Sequence, residues 1–537
     1  MRGDTGDLAG HLTLLKQRSG LSYAELAKKS HLSSSTLHRY CAGTTVPADY
    51  RTVVGIATAC SAGDGELVEL LAQWKSATGQ AVVPETARSD SSEIIPPVPE
   101  SRWLPRPRTL SAVSAGLVLV LVLLVVAAGS ADVGTVPARQ QIAGPSWQRE
   151  RPLVPSLFGV TASSSSGVMP SFQVGSLRFW DSRTRWASLQ PRRDTYDWHI
   201  LDRLVDGARK SDLPSTLVLG GTPAWAAPTG QKAPYDDGSR SAPPDDLAVW
   251  EQFVSTLAAR YQGRIGAYEV WVHANDRRYF SGSTEILVEM TRLAARAIKA
   301  VAPDATVVCP SMDRLWTSEG RAVLRRFVEL RGYDYCDVAG INLHQQHAAD
   351  PPETMVGRLQ QIDGALHDAG VHPRLWNTGV TYEYVRDEQL DEQHAVDYAT
   401  RFYLVAIYGS DFGLERTYFY NWGSGNLPIA LQAVGGPPTR AALAVEELQR
   451  WLTRTSTRSC GQGLAIDLPA NVWQCEFTAD DGRLLTIRWT HEGTATTSVP
   501  PHAEEVRGLD GTSRPVRAGD SVTVSGTPIL IVDRRAG

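Results

Sequence analysis

Tyr268-Glu269-Val270-Trp271-Val272-His273-Ala274-Asn275 is a mostly apolar run that opens into polar residues, the pattern of a short buried strand reaching its loop. It is one of eight such runs. Leu157–Thr161, Ser176–Trp180, Pro214–Leu219, Ala267–Val272, Thr306–Pro310, Val338–Leu343, Arg374–Thr378 and Arg416–Asn421 read as strands. Helical segments such as Leu201–Lys210, Leu247–Tyr261 and Ile286–Val301 separate them. This alternation predicts a (β/α)8 barrel over residues 157–455, a fold whose sites lie where the strands end. His273 falls at such an end.

Downstream, residues 456–537 change texture. Val472–Thr478, Leu484–Thr490, Thr496–Val499, Ser521–Val524 and Ile529–Val532 read as short strands, with turns at Asp481-Gly482, Asp510-Gly511 and Ala518-Gly519. A small β-sandwich abutting the barrel is expected.

Upstream, residues 1–79 read as an all-α bundle. Leu8, Leu12 and Leu15 have helical spacing, with Gly20 as a stop. Ser22-Tyr23-Ala24-Glu25 is a capping box opening a second helix through Lys29. Ser33 can cap a third helix ending near Cys41, and Asp49 and Asp64 can cap two more. A short helix, a tight turn and a second helix form helix-turn-helix geometry. The run Gly20–Pro47 resembles the xenobiotic-response-element (Cro/repressor-like) DNA-binding domains. That resemblance implies that Ser34, Ser35, Thr36, His38 and Arg39 enter a major groove, with Lys28 and Lys29 near phosphates. Charge does not add to the case: residues 1–80 hold eight Lys/Arg against seven Asp/Glu. A protein partner in place of DNA stays open, and dimerisation is expected because one such domain binds weakly.

Residues 80–109 are rich in Pro, Ser and charge and read as a linker. Leu110 to Ala131 then runs 22 residues without a charge, long enough at a helical rise of about 1.5 Å per residue for a transmembrane helix. Arg102, Arg106 and Arg108 before it and Asp132 after it place the amino terminus in the cytoplasm. On that reading residues 132–156 are an extracellular stalk, and the four late cysteines meet an oxidising compartment. Cys309 and Cys336 lie near sequential strands and Cys460 and Cys475 flank a hairpin, so the disulfides Cys309–Cys336 and Cys460–Cys475 are expected.

Four motifs carry a second resemblance. Leu177-Arg178-Phe179-Trp180-Asp181, Tyr196-Asp197-Trp198, Gly221-Thr222-Pro223-Ala224-Trp225 and Tyr268-Glu269-Val270-Trp271 resemble the retaining glycoside hydrolases of clan A, nearest to family 39. Those enzymes place an acid/base glutamate after strand 4, in Trp-Asn-Glu-Pro, and a nucleophilic glutamate after strand 7, in Trp-x-Thr-Glu. The two carboxyls stand about 5 Å apart across the sugar, one protonating the leaving oxygen and the other forming the glycosyl-enzyme bond. Here the motifs read Trp271-Val272-His273-Ala274 and Trp376-Asn377-Thr378-Gly379. The resemblance thus implies that both catalytic positions, His273 and Gly379, are degenerate, and that Val272 replaces the Asn that touches the sugar 2-hydroxyl.

By the same resemblance Arg178, His344 and Trp422 match the strand-2 arginine, the strand-6 histidine and the strand-8 sugar platform. With Trp180, Trp225, His273, Asn275 and Trp376 they form the expected carbohydrate-binding set. Asp181, Asp276, Asp313 and Glu383 are candidates for relocated acids. Fifteen Trp suit both sugar stacking and barrel cores. A net charge of −5 excludes no partner class. No cofactor motif or metal-ligand cluster stands out.

The combined expectation is a single-pass membrane protein with a cytosolic helix-turn-helix domain and an extracellular barrel that senses a glycan without cleaving it. An active anchored glycosidase and an envelope scaffold recruiting partners remain the alternatives.

Overall fold

The computed structural model describes residues 5–30, 32, 34–47, 50–60, 62, 64–77, 142–315, 317–343, 345, 347–379, 388–424 and 427–534. They fall in two compact units, divided after Asp132.

The first unit has five helices: α1 (Thr5–Ser19), α2 (Tyr23–Lys29), α3 (Ser34–Cys41), α4 (Tyr50–Ala59) and α5 (Asp64–Ala77). Ser22 Oγ accepts from Glu25 N–H at 3.2 Å while Glu25 Oε2 accepts from Ser22 N–H at 2.8 Å, so the start of α2 satisfies its own orphan donors. Leu8, Leu12, Leu15, Leu26, Leu37, Val53, Ile56 and Leu70 form one core. Trp74 donates its indole N–H to the Pro47 carbonyl at 2.8 Å. The capping positions Ser33 and Asp49 lie outside the described residues.

The second unit opens with an edge strand, β1 (Trp147–Pro152). Eight parallel strands then close a barrel: β2 (Phe158–Ala162), β3 (Ser176–Phe179), β4 (Ser215–Leu219), β5 (Ala267–Val270), β6 (Thr306–Met312), β7 (Val338–Ile341), β8 (Leu375–Asn377) and β9 (Leu414–Trp422). Helices follow the strands, among them His199–Lys210, Leu247–Arg260 and Thr284–Val301. Each buries an apolar stripe, as Leu201, Leu204, Val205 and Ala208 do in the first of them. The disulfide Cys309–Cys336 joins β6 to a residue two positions ahead of β7.

The chain ends in β10 (Thr455–Gln462), β11 (Val472–Ala479), β12 (Leu484–Thr490), β13 (Ala495–Ser498), β14 (Ala503–Gly508), β15 (Ser513–Pro515), β16 (Ser521–Val524) and β17 (Ile529–Asp533). These make a seven-stranded antiparallel sheet in the order β1-β10-β11-β12-β17-β14-β15, with β13 and β16 paired separately. Val499, Val506, Val522, Val524 and Ile531 fill a small core there. The Cys460–Cys475 disulfide crosses the β10–β11 pair at directly opposed residues. Two buried contacts tie this sheet to the barrel: Trp489 Nε1–H donates to Glu353 Oε1 at 2.7 Å, and Arg401 Nη1–H to the Thr490 carbonyl at 2.8 Å.

Residues 147–152, read from sequence as stalk, thus belong to the sheet. The run Trp-Gln-Arg-Glu-Arg-Pro shows no alternation because an edge strand buries little, and only Trp147 is buried here.

The expected transmembrane helix requires correction. Residues 110–131 lie outside the described residues, and no helix among the described ones is long and apolar enough to cross a membrane. The longest described helix, Thr284–Val301, has 18 residues but carries Glu285, Glu289, Arg292, Arg296 and Lys299. The architecture is a helix-turn-helix domain and a (β/α)8 barrel with an antiparallel sheet. The assignment of the two units to opposite sides of a cell membrane rested on that span and falls with it.

Candidate functional site

The barrel interior is layered. Within the barrel Ala267, Val308, Val338, Trp376 and Tyr418 pack together. Thr216 and Tyr418 share a hydrogen bond at 2.7 Å. In the same interior Arg178 of β3 forks onto Glu269 of β5, with Nε–Oε2 at 2.7 Å and Nη2–Oε1 at 3.0 Å. At the carboxy-terminal mouth Trp180, Val218 and Val272 pack together beneath Tyr235.

His273 emerges from this mouth on an unusual backbone. Trp271 has φ +97° and His273 φ +51°, left-handed values that cost a non-glycine residue energy and cluster at functional sites. Side chains from two other strand ends hold the imidazole, and one from a third holds Asn342. Nδ1 lies 3.0 Å from Asp313 Oδ2 and 3.0 Å from Asn342 Nδ2, so it either donates to Asp313 or accepts from Asn342. Thr378 Oγ1 donates to Asn342 Oδ1 at 3.3 Å. Asn275 fixes the Asp313 loop from both sides, donating to its carbonyl at 2.6 Å and accepting from its N–H at 2.9 Å. Asp313 is 1% exposed and its Oδ1 has no partner. The Tyr279 ring lies 4.6 Å from His273 and 5.7 Å from Tyr235.

Beside this cluster lies a cavity of about 690 Å³ lined by Asp181, Arg185, Asp197, His199, Asp237 and Tyr420, among others. Arg185 donates to Asp181 at 2.7 Å and to Asp237 at 2.9 Å, with its guanidinium 3.9 Å from the centre of the Tyr235 ring. Burial works against its charge, but Asp181, Tyr235 and Asp237 outweigh that and raise its pKa. Tyr420 donates to Asp181 at 2.9 Å, and burial followed by the Asp181 charge pushes this phenol well above its ordinary range.

The expected sugar-binding residues separate into two groups. His273 and Asn275 lie together at the mouth, half-buried, and Trp225 is partly exposed. Arg178, Trp180, Trp376 and Trp422 are 2%, 4%, 5% and 1% exposed and leave a ligand almost no surface. Trp422 donates its indole N–H to Gln432 at 3.0 Å, and Arg416 covers the Trp376 ring at 4.0 Å. Arg178, which matches the strand-2 arginine of the resemblance, forms the ion pair with Glu269. His344 and Glu383 lie outside the described residues.

Gly379 is buried and contributes no functional group; a Cβ built there would meet Asn342 Oδ1 at 3.4 Å, an ordinary contact. Of the other candidate acids, Asp181 and Asp276 are engaged by arginines. Asp276 accepts both Nε and Nη2 of Arg278, and although burial pushes its carboxyl up, those bonds hold it below the usual range. Asn342, Thr378 and Tyr279 were not among the expected site residues. Asn342 stands 69 residues from His273, a separation that no local pattern encodes.

In the first unit Ser34, His38 and Arg39 are exposed on α3 and Thr36 is half-buried; Ser35 lies in the same helix. Arg39 Nη2 reaches Thr36 Oγ1 at 3.4 Å, and the His38 ring lies 5.3 Å from Tyr23. Lys28 and Lys29 are exposed at the end of α2.

This chain therefore joins a helix-turn-helix domain to a (β/α)8 barrel whose fold is that of solved glycoside hydrolases. Residues 7–71 match the family described as "Helix-turn-helix domain". Among solved structures, the chain resembles a family 39 glycoside hydrolase from Bacteroides cellulosilyticus WH2, with 16% identity, TM-score 0.53, and 71% of this chain and 81% of that chain covered. It is similar to a glucosidase from Croceicoccus marinus, with 16% identity, TM-score 0.51, and 72% and 98% covered. A monomeric beta-xylosidase from Caulobacter crescentus CB15 gives 14% identity, TM-score 0.51, and 73% and 98% covered. Identities this low establish shared fold alone. No curated protein matches the chain.

Proposed function

We propose that this protein is a glycan-responsive regulator whose barrel binds a carbohydrate without hydrolysing it and whose helix-turn-helix domain binds DNA. The observation that carries this reading is the pairing of a retained polar mouth with a missing reagent. His273 is held by Asp313 and Asn342, while Gly379 supplies no nucleophile where double displacement needs a carboxylate. The engagement of Asp181 by Arg185 and Tyr420, and of Asp276 by Arg278, supports the same reading, because neither acid is free to replace it.

Three measurements on the full chain test it: glycan-array binding, release of aryl aglycones, and a DNA mobility shift with and without the bound glycan. Expected are selective glycan binding, no turnover, and a glycan-dependent change in DNA affinity. His273→Ala should weaken glycan binding about tenfold, in line with the loss of one hydrogen bond to the ligand. Turnover, or DNA binding indifferent to a glycan that the barrel holds, would refute the proposal.

A second reading is an active hydrolase, favoured by the contact of Asp313 with His273 at the acid/base position. It requires aryl-glycoside cleavage that Asp313→Asn abolishes.

A further inference from the structure

We propose that the seam between the barrel and the antiparallel sheet is an acid-sensitive joint with His491 as its proton sensor.

His491 comes directly after Thr490, the last residue of β12, whose carbonyl accepts from Arg401 of the barrel helix Glu392–Tyr408. Its Nδ1 accepts the indole N–H of Trp473 on β11 at 3.0 Å. Chemistry fixes the direction of that bond, because an indole nitrogen only donates. A neutral imidazole has one acceptor nitrogen and can meet it, whereas an imidazolium carries hydrogen on both nitrogens and cannot. Protonation therefore breaks the bond and leaves the N–H of Trp473, a residue 0% exposed, without its partner.

Trp473 is central to the seam. Its ring meets Tyr408 of the barrel helix edge-on at 5.0 Å and stacks on Trp489 at 6.3 Å. Trp489 donates to the buried Glu353, and the Tyr408 carbonyl accepts the Trp147 indole N–H. A change at one imidazole thus reaches the aromatic contacts that β1, β11 and β12 make with the barrel.

The surroundings also resist the charge. Burial lowers the His491 pKa and Arg401 adds to this, while Glu353, Glu492 and the Asn471 backbone pull the other way without overcoming it. Asp350 and Arg358, of opposite sign, line with His491 and Glu492 a cavity of about 990 Å³. The group is thus depressed below its unfolded value of about 6.5. Its contribution to stability is complete above that pH and is lost as pH falls through the folded value.

The test is hydrogen exchange of the full chain, read by mass spectrometry as protection factors at about pH 7.5 and about pH 5.5, on either side of the unfolded histidine value. Protection in β11, β12 and Glu392–Tyr408 should fall several-fold at the acid pH, while β3 and β4 of the barrel keep theirs. In His491→Gln, whose amide oxygen accepts the indole N–H at either pH, the seam should be equally protected at both. Trp473→Phe, which removes the donor, should shrink the difference. The comparison between regions of the unaltered chain needs neither variant to fold. Seam protection indifferent to pH, or a loss spread evenly over barrel and sheet, overturns the proposal. So does a loss that persists in His491→Gln or is undiminished in Trp473→Phe.

Discussion

Arg178 and Glu269 face each other across the barrel interior from β3 and β5, strands that are not neighbours, and are joined by two hydrogen bonds of 2.7 and 3.0 Å. Interior layers of such barrels draw their side chains from alternate strands, which is why residues with β4 between them can meet. Arg178 is 2% exposed and Glu269 0%. Removing either partner strands a charge in the interior. Glu269→Gln should therefore destabilise the barrel by about 3–5 kcal/mol, read as a shift of the urea midpoint. Replacing both, as Arg178→Met with Glu269→Leu, should recover most of the loss, because apolar pairs of similar volume often substitute for buried ion pairs. A double variant as unstable as the single one would contradict this.

Acid should loosen the mouth. Asp276 and Asp237 are both held below the usual carboxylate range, in each case against an upward push from burial. A depressed carboxyl contributes stability that is complete above its unfolded value of about 3.9 and is lost as pH falls through the lowered folded value. Stability measured by urea should hold from pH 7 down to pH 5 as far as these two groups are concerned, then drop below about pH 4. Arg278→Met should flatten the part of that acid limb due to Asp276.

Gly379 is not demanded by its backbone. It is absent from the glycines of positive φ, and a Cβ there would sit 3.4 Å from Asn342 Oδ1. Gly379→Ala should fold and change stability by less than about 1 kcal/mol, with a stabilising contribution from the stiffer unfolded chain. A loss of several kcal/mol on thermal or urea unfolding would show that the glycine is structural.

The two disulfides should differ in weight. Cys309–Cys336 spans 27 residues and Cys460–Cys475 spans 15. Closing the longer loop restrains the unfolded chain more, so Cys309→Ser with Cys336→Ser should cost about 3–4 kcal/mol against about 3 for the other pair. The shorter bridge also lies across paired strands that already hold its ends together. Equilibrium unfolding of the two double-serine variants gives the comparison.

On α3, Arg39→Ala should lower DNA affinity and relax preference at one base position by about 1–3 kcal/mol. Lys28→Ala should weaken all sequences alike and reduce the salt slope by about one unit. Mobility shifts across a salt series separate the two.

The barrel was legible because its strands are short, apolar and buried on both sides, so each expected run lies within about two residues of the observed one at most ends. Strands such as β1, β10 and β14 were not. Their residues are polar, partly exposed and stabilised by pairing that only the folded sheet provides. At the site, the sequence pointed to His273, Asn275 and Asp313 but not to Asn342 or to the bonds that join them. The matching tryptophans were a poorer guide. The chemistry of an indole suits a sugar face and a barrel core equally, and only burial distinguishes them. Trp422 and Trp376 proved to be core.

Because β1 is the first strand of its unit, the chain arrives at the sheet before it reaches the barrel. Trp147 anchors that strand through a hydrogen bond of 3.0 Å to the Tyr408 carbonyl, and β1 lies antiparallel to β10. A pull along this strand would load its ladder of hydrogen bonds side by side rather than one after another. Tension on the chain just ahead of Trp147 would therefore act first on the β1–β10 pairing and on the Trp147–Tyr408 contact.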